Sequence, residues 1–160
     1  DGSACDGKVG AAAVLLRDGC RPRILRYHLG KVSDHTVYEA EYVGLLLAVE
    51  LLRTEDDANR STAISVDNQA TLRALRTRTS RPGQYLATAF VSSATSLKKT
   101  RRRGFTLTLR WVPGHEDLEG NELADVEAKA AAAGASSARR RLPEILRDGL
   151  PRSASAIRQE

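Results

Sequence analysis

From Thr36 to Arg53 the sequence commits to one long helix, and that helix dictates what the rest of the chain must supply. At about 100° per residue, Val37, Ala40, Gly44, Leu47, Ala48, Leu51 and Leu52 gather on one face, with Glu39, Glu50 and Arg53 opposite. A stripe of that width needs a sheet or a second helix to cover it. Glu41 breaks the pattern, because it projects about 40° from Val37, inside the apolar face. A carboxylate buried alone there costs several kcal/mol, so it must be neutral, paired or bound to a cation. The ordinary alternative is a helix-end acid that reaches out to solvent.

The flanking segments read as elements able to cover that stripe. Asp1-Gly2-Ser3 looks like the exit of a strand. Gly10 to Leu16 is a compact apolar run ending at the turn signal Asp18-Gly19, and Pro22 to Leu29 follows, closed by Gly30. Two apolar strands around Asp-Gly predict an antiparallel hairpin. Ser61 to Val66 is a short β-branched strand, followed by a helix over Gln69 to Arg76. After the loop Ser80-Arg81-Pro82-Gly83, a helix from Gln84 to Lys99 carries Leu86, Phe90, Ala94 and Leu97 at helical spacing. Phe105, Leu107, Leu109 and Trp111 alternate with Thr106, Thr108 and Arg110, the period of a half-buried strand. A Pro-Gly turn and a polar loop then lead into an alanine-rich helix, Glu119 to Ala133. This order predicts an α/β domain around a mixed sheet over residues 1–134. Residues 135–160, rich in Ser, Arg and Pro, are expected to form a basic linker or loosely attached tail, with one short helix at Glu144 to Arg147.

Composition narrows the function classes. The 160 residues are 41% hydrophobic and 28% charged, as in a soluble globular domain. No run approaches the ~18 apolar residues of a membrane span. Cys5 and Cys20 lack metal-ligand spacing and read as reduced thiols. The chain starts at Asp1 and holds no methionine, so it is expected to be a piece of a longer polypeptide whose upstream residues complete the first strand. The net charge of +5 favours a polyanionic partner. Basic residues cluster at Arg73 to Arg81, at Lys98, Lys99, Arg101, Arg102 and Arg103, and at Arg139 to Arg141. With only 4% aromatic residues, a single-strand binder built on stacking platforms is excluded.

Isolated acids sit on separate elements. Asp67 follows its strand at once, at the carboxyl end where open α/β sheets place ligands. Aspartate is also an ordinary helix N-cap, but Asn68 can take that role and leave Asp67 free. His115 lies on the polar loop Pro113-Gly114-His115-Glu116-Asp117, and Asp125 lies on the last helix, whose periodicity is too diffuse to give it a face.

Together these motifs resemble type 1 ribonuclease H. The order is Asp1-Gly2-Ser3, Glu39-Ala40-Glu41 on the long helix, Val66-Asp67-Asn68 at a strand end, then Trp111-Val112-Pro113-Gly114-His115 and Gly120-Asn121-Glu122-Leu123-Ala124-Asp125. The match spans Asp1 to Ala133. Tyr38-Glu39-Ala40-Glu41-Tyr42 and the His115 loop are similar to the RNase H domains appended to reverse transcriptases of eukaryotic, in particular fungal, retroelements.

The resemblance implies an RNase H-like fold, a five-stranded mixed β-sheet flanked by helices. It implies cleavage of the RNA strand of RNA/DNA hybrids, with a reverse transcriptase domain upstream in the same polypeptide. Asp1, Glu41, Asp67 and Asp125 would be the metal-binding carboxylates, and His115 the mobile histidine that helps protonate or release product. Oxygen-only ligands favour Mg²⁺, with Mn²⁺ able to substitute. Two such ions ~4 Å apart would activate a water and stabilise the leaving oxygen. Ser3 and Asn68 would contact the hybrid, and Lys98, Lys99, Arg101, Arg102 and Arg103 the phosphates of the DNA strand. The chain departs from relatives in the loop Ala4 to Gly10 and in Val37 and Tyr38 before the helix glutamate, which bears on substrate grip. Two other readings are a degenerate module that binds without cleaving and a transposase- or integrase-like nuclease. The latter generally carries its catalytic glutamate on a late helix, unlike this order.

Overall fold

In the computed structural model, which describes residues 1–55, 61–77, 83–114 and 119–157, three strands form an antiparallel sheet in the order β1-β2-β3. They are β1 (Gly2–Cys5), β2 (Lys8–Leu15) and β3 (Arg23–Lys31). The β1–β2 turn is Asp6-Gly7, with φ of 48° and 71°. Two successive positive φ values define a type I′ turn, which Asp-Gly favours and which matches strand twist. The β2–β3 connection is longer, from Leu15 to Arg23, and carries the expected Asp18-Gly19 turn.

Next come α1 (Val37–Arg53), β4 (Thr62–Val66), α2 (Gln69–Thr77), α3 (Gln84–Thr100), β5 (Leu107–Trp111) and α4 (Glu119–Ala132). β4 and β5 pair in parallel, from Thr62 opposite Leu107 to Val66 opposite Trp111. The domain is therefore α/β with both strand directions present. The described strands nevertheless form two sheets rather than one five-stranded sheet. The backbone of Asp1 pairs with Ala12, and β2 continues past it to Leu15. A cavity of about 460 Å³ lies beyond, lined by Asp1, Ala13, Val14 and Leu15 on one side and Thr62 and Ile64 on the other.

Helix α1 is the centre of the core. Thr36 caps it: its Oγ1 accepts from the Glu39 N–H, and the Glu39 carboxylate accepts from the Thr36 N–H at 2.8 Å. This capping box satisfies two otherwise orphaned amides. One side of α1 packs on β1 and β2, and another on α3. Leu46, Leu47 and Leu51 are buried at the heart of the cluster, which reaches to Phe90 and Leu97 of α3. The helical-face reading placed Glu39 and Glu50 outside, and the structure corrects it: they are only 1% and 7% exposed. Helix α3 covers the face that periodicity alone assigns to solvent. The two acids survive burial because Glu39 closes the cap and Glu50 takes a bidentate bond from Arg53 at 2.7 and 2.8 Å.

Helix α4 lies on the other face of the first sheet, against β2 and β3. A Cβ on Gly10 would fall 2.0 Å from the Ala132 nitrogen, so backbone meets backbone there and Ala128, Ala131 and Ala132 are fully buried. The alanine content of α4 is thus a packing requirement.

Beyond Gly134 the expected loose tail is not what the described residues form. Residues 136–141 bond to β3, and the segment continues through two 3₁₀ turns, Arg139–Arg141 and Glu144–Leu146, to the short α5 (Ala154–Ile157). The Ser137 N–H donates to the Arg26 carbonyl at 2.9 Å, and the hydroxyls of Ser137 and Ser136 accept from the N–H groups of Arg26 and His28. Leu142, Leu146 and Ala156 are buried, and the Ser153 N–H donates to the Asp34 carbonyl at 2.7 Å. Three apolar anchors inside a polar, Arg-rich stretch are too sparse to show as periodicity. Among the described residues, no helix is long and apolar enough to cross a membrane.

Candidate metal centre

Strand β1 crosses α1 at two glycines. A Cβ on Gly2 would stand 2.8 Å from the Glu41 nitrogen, and one on Gly44 2.7 Å from the Asp1 nitrogen. Only hydrogen side chains permit this approach, and it brings Asp1 beside Glu41. Asp67 arrives from the second sheet, one residue past Val66 at the end of β4. Ligand atoms of Asp1, Glu41 and Asp67 all lie within 4.8 Å of one another. Three acids far apart in sequence therefore converge, close enough to share one cation.

Their surroundings differ. Glu41 is 6% exposed, whereas Asp1 and Asp67 are half-buried. Burial pushes the Glu41 carboxyl above its ordinary value, and the nearby Asp67 adds to the rise. The Asn68 side chain and the Gly2 N–H act the other way, each favouring the ionised form. The Asp1 backbone nitrogen donates to the Ala12 carbonyl at 2.9 Å.

Asn68 serves as the helix cap and leaves Asp67 free, since its Oδ1 accepts from the Thr71 N–H at 3.2 Å. Its side chain also favours the ionised form of Glu41, so the residue expected to contact substrate lies beside the acid cluster. Asp125 is not part of the three-acid group among the described residues. It lies on α4 with Lys129 one turn later, whose Nζ donates to Oδ2 at 2.6 Å. The i, i+4 spacing that makes this pair is legible in sequence. His115 falls outside the described residues.

Of the candidate nucleic-acid contacts, Ser3 lies in β1 opposite Gly10. Lys98 and Lys99 are exposed near the end of α3, with Arg102 and Arg103 exposed just beyond it. Arg101 differs, because it donates to the Leu52 carbonyl and, at 3.4 Å, to that of Glu55. It therefore caps the end of α1, and the exposed basic cluster reduces to the other four cations. The pattern of consecutive basic residues carries no sign of this.

Trp111 and Gly114, which the motif reading leaves without a role, also border the site. Trp111 donates its indole N–H to the Asp67 backbone carbonyl at 3.0 Å. Gly114 borders the Asp67 carboxylate, where a Cβ would stand 3.4 Å from Oδ2.

The fold and site thus define an α/β domain with a cluster of three carboxylates at the facing edges of two sheets. A comparison with protein-family models finds no match, and neither does one with curated proteins.

Proposed function

We infer that this chain is a ribonuclease H-type endonuclease that hydrolyses the RNA strand of RNA/DNA hybrids with bound divalent cations. One observation carries the reading: Asp1, Glu41 and Asp67, each from a different motif of the resemblance, bring ligand atoms within 4.8 Å of one another. Such close carboxylates repel unless a cation lies between them. Their donors are all oxygen, which fits Mg²⁺ or Mn²⁺ and disfavours softer metals. The cation would supply charge stabilisation at the phosphoryl oxygens and a nucleophile at neutral pH.

The protein's own part is to hold and orient. The β1–α1 crossing sets Asp1 against Glu41, the Asn68 side chain favours the ionised Glu41, and the α2 cap leaves Asp67 pointing to the cluster. Asp125 would join on release from Lys129, and His115 would handle protons at the leaving group. Lys98, Lys99, Arg102 and Arg103 would meet DNA-strand phosphates, which makes binding steeply salt-dependent. An upstream reverse transcriptase, as in retroelement polyproteins, belongs to this same proposal.

The ion pair of Asp125 with Lys129 favours a second reading, a module that binds hybrid without cutting it. One assay separates the two. Labelled RNA/DNA hybrid, RNA duplex and DNA duplex are incubated with Mg²⁺ or Mn²⁺ and either the protein or Asp67→Asn. Metal-dependent cutting of the hybrid's RNA strand alone, lost in the variant, is expected. Tight hybrid binding without cutting would favour the module.

A further inference from the structure

Trp111, the sole tryptophan, ends β5 with 47% of its surface exposed. An aromatic side chain placed for packing would be better covered. Its indole N–H is used on the Asp67 carbonyl, 3.0 Å away. That carbonyl lies past the β4–β5 ladder, where the Val112 N–H donates to Val66 O at 3.0 Å. Pro113, the next residue, has no N–H to offer. Gly114 then passes close to the Asp67 carboxylate. Asp67 is thus tied at its peptide by the indole and bordered at its carboxylate by Gly114.

We propose that Trp111 is a positioning residue for Asp67. The indole N–H fixes the peptide from which the Asp67 carboxylate projects towards Asp1 and Glu41, and so sets the affinity of the cluster for a divalent cation. Trp111 itself touches no cation. The assignment deepens the metal-site reading above and rests on it.

With one tryptophan, the indole gives a single ¹H–¹⁵N signal. In metal-free protein that proton should exchange slowly with water despite the exposed ring. Asp67→Asn should leave the protection intact, because the bond is to the backbone, while abolishing Mn²⁺ binding followed by calorimetry. Trp111→Phe keeps most of the aromatic area and removes the donor. It should weaken Mn²⁺ binding about fivefold, the scale of one neutral hydrogen bond. Its thermal midpoint should fall by no more than about 4 °C, the scale of one hydrogen bond. An indole proton that exchanges like a free one would overturn the proposal, as would a Trp111→Phe protein with parental Mn²⁺ affinity. A loss of affinity matched by a large loss of stability would also overturn it, as a structural role. If the parent binds no Mn²⁺, the metal reading fails on its own. The indole exchange and the Asp67 amide shift in Trp111→Phe then decide whether the tether exists.

Discussion

Replacing Glu41 by glutamine should make the metal-free protein more stable while removing its response to metal. The ligand atoms of Asp1, Glu41 and Asp67 lie within 4.8 Å. Two unit charges at that distance repel by about 3 kcal/mol at an effective dielectric of ~20. Asp1 and Asp67 are half-exposed, and solvent screening leaves a gain of roughly 1–2 kcal/mol for the neutral amide. For a domain of this size the gain corresponds to about 3–6 °C in melting temperature.

The pH dependence gives a second handle. The Glu41 carboxyl is raised above its ordinary 4.5 in the fold. Its contribution to stability is therefore fully present below pH 4.5 and is lost as pH rises through the folded value. The advantage of Glu41→Gln should be largest near neutrality and vanish towards pH 4.5. Melts in EDTA and in saturating Mn²⁺ provide the assay. In Mn²⁺ at a hundred times its Kd the parent should gain about 2.7 kcal/mol and the variant nothing comparable. A variant less stable than the parent in EDTA at pH 7, or one stabilised equally by Mn²⁺, would refute the reasoning.

Gly44→Ala should push β1 off α1, since its Cβ would stand 2.7 Å from the Asp1 nitrogen; a cost of about 1–3 kcal/mol in urea melts is expected, with weaker Mn²⁺ binding by calorimetry. Lys129→Gln should leave stability within about 0.5 kcal/mol, because the pair with Asp125 is exposed; the metal concentration for half-maximal hybrid cleavage should fall. Changing Lys98, Lys99, Arg102 and Arg103 together to glutamine should weaken hybrid binding and flatten its dependence on salt. Arg101→Gln should instead lower the melting temperature with little change in that salt slope.

The elements were legible because their periods are local. Helix α1, the Leu107–Trp111 alternation and the Asn68 cap all follow from spacing between near neighbours. Glu41 was legible as an acid out of place on an apolar face, and its burial among Asp1 and Asp67 accounts for it. Glu39 shows the limit of the same method. A helical wheel tells faces apart but not how many are covered, and α3, which buries Glu39, lies more than forty residues away. Asp6-Gly7 carried a hairpin signal as strong as that of Asp18-Gly19, masked by the short strand before it. Arg101, Ser136 and Ser137 were misjudged for another reason. Their partners are backbone groups distant in sequence, and composition records no such partner.

The hydroxyls and amides laid along β3 also bear on how the domain behaves at high concentration. A nine-residue edge strand with open N–H and C=O groups is a template for another chain. Here the outward groups of Ile24, Arg26 and His28 are occupied by Arg141, Ser137 and Ser136. Those partners are side chains and an irregular backbone, so they close the edge without presenting a new strand to copy. Cutting the chain after Gly134 would keep all the proposed metal ligands yet reopen that edge. Such a fragment should self-associate on concentration, visible as a rising scattering mass, where the longer chain stays monodisperse. The C-terminal segment is then a solubility device as much as a piece of the core.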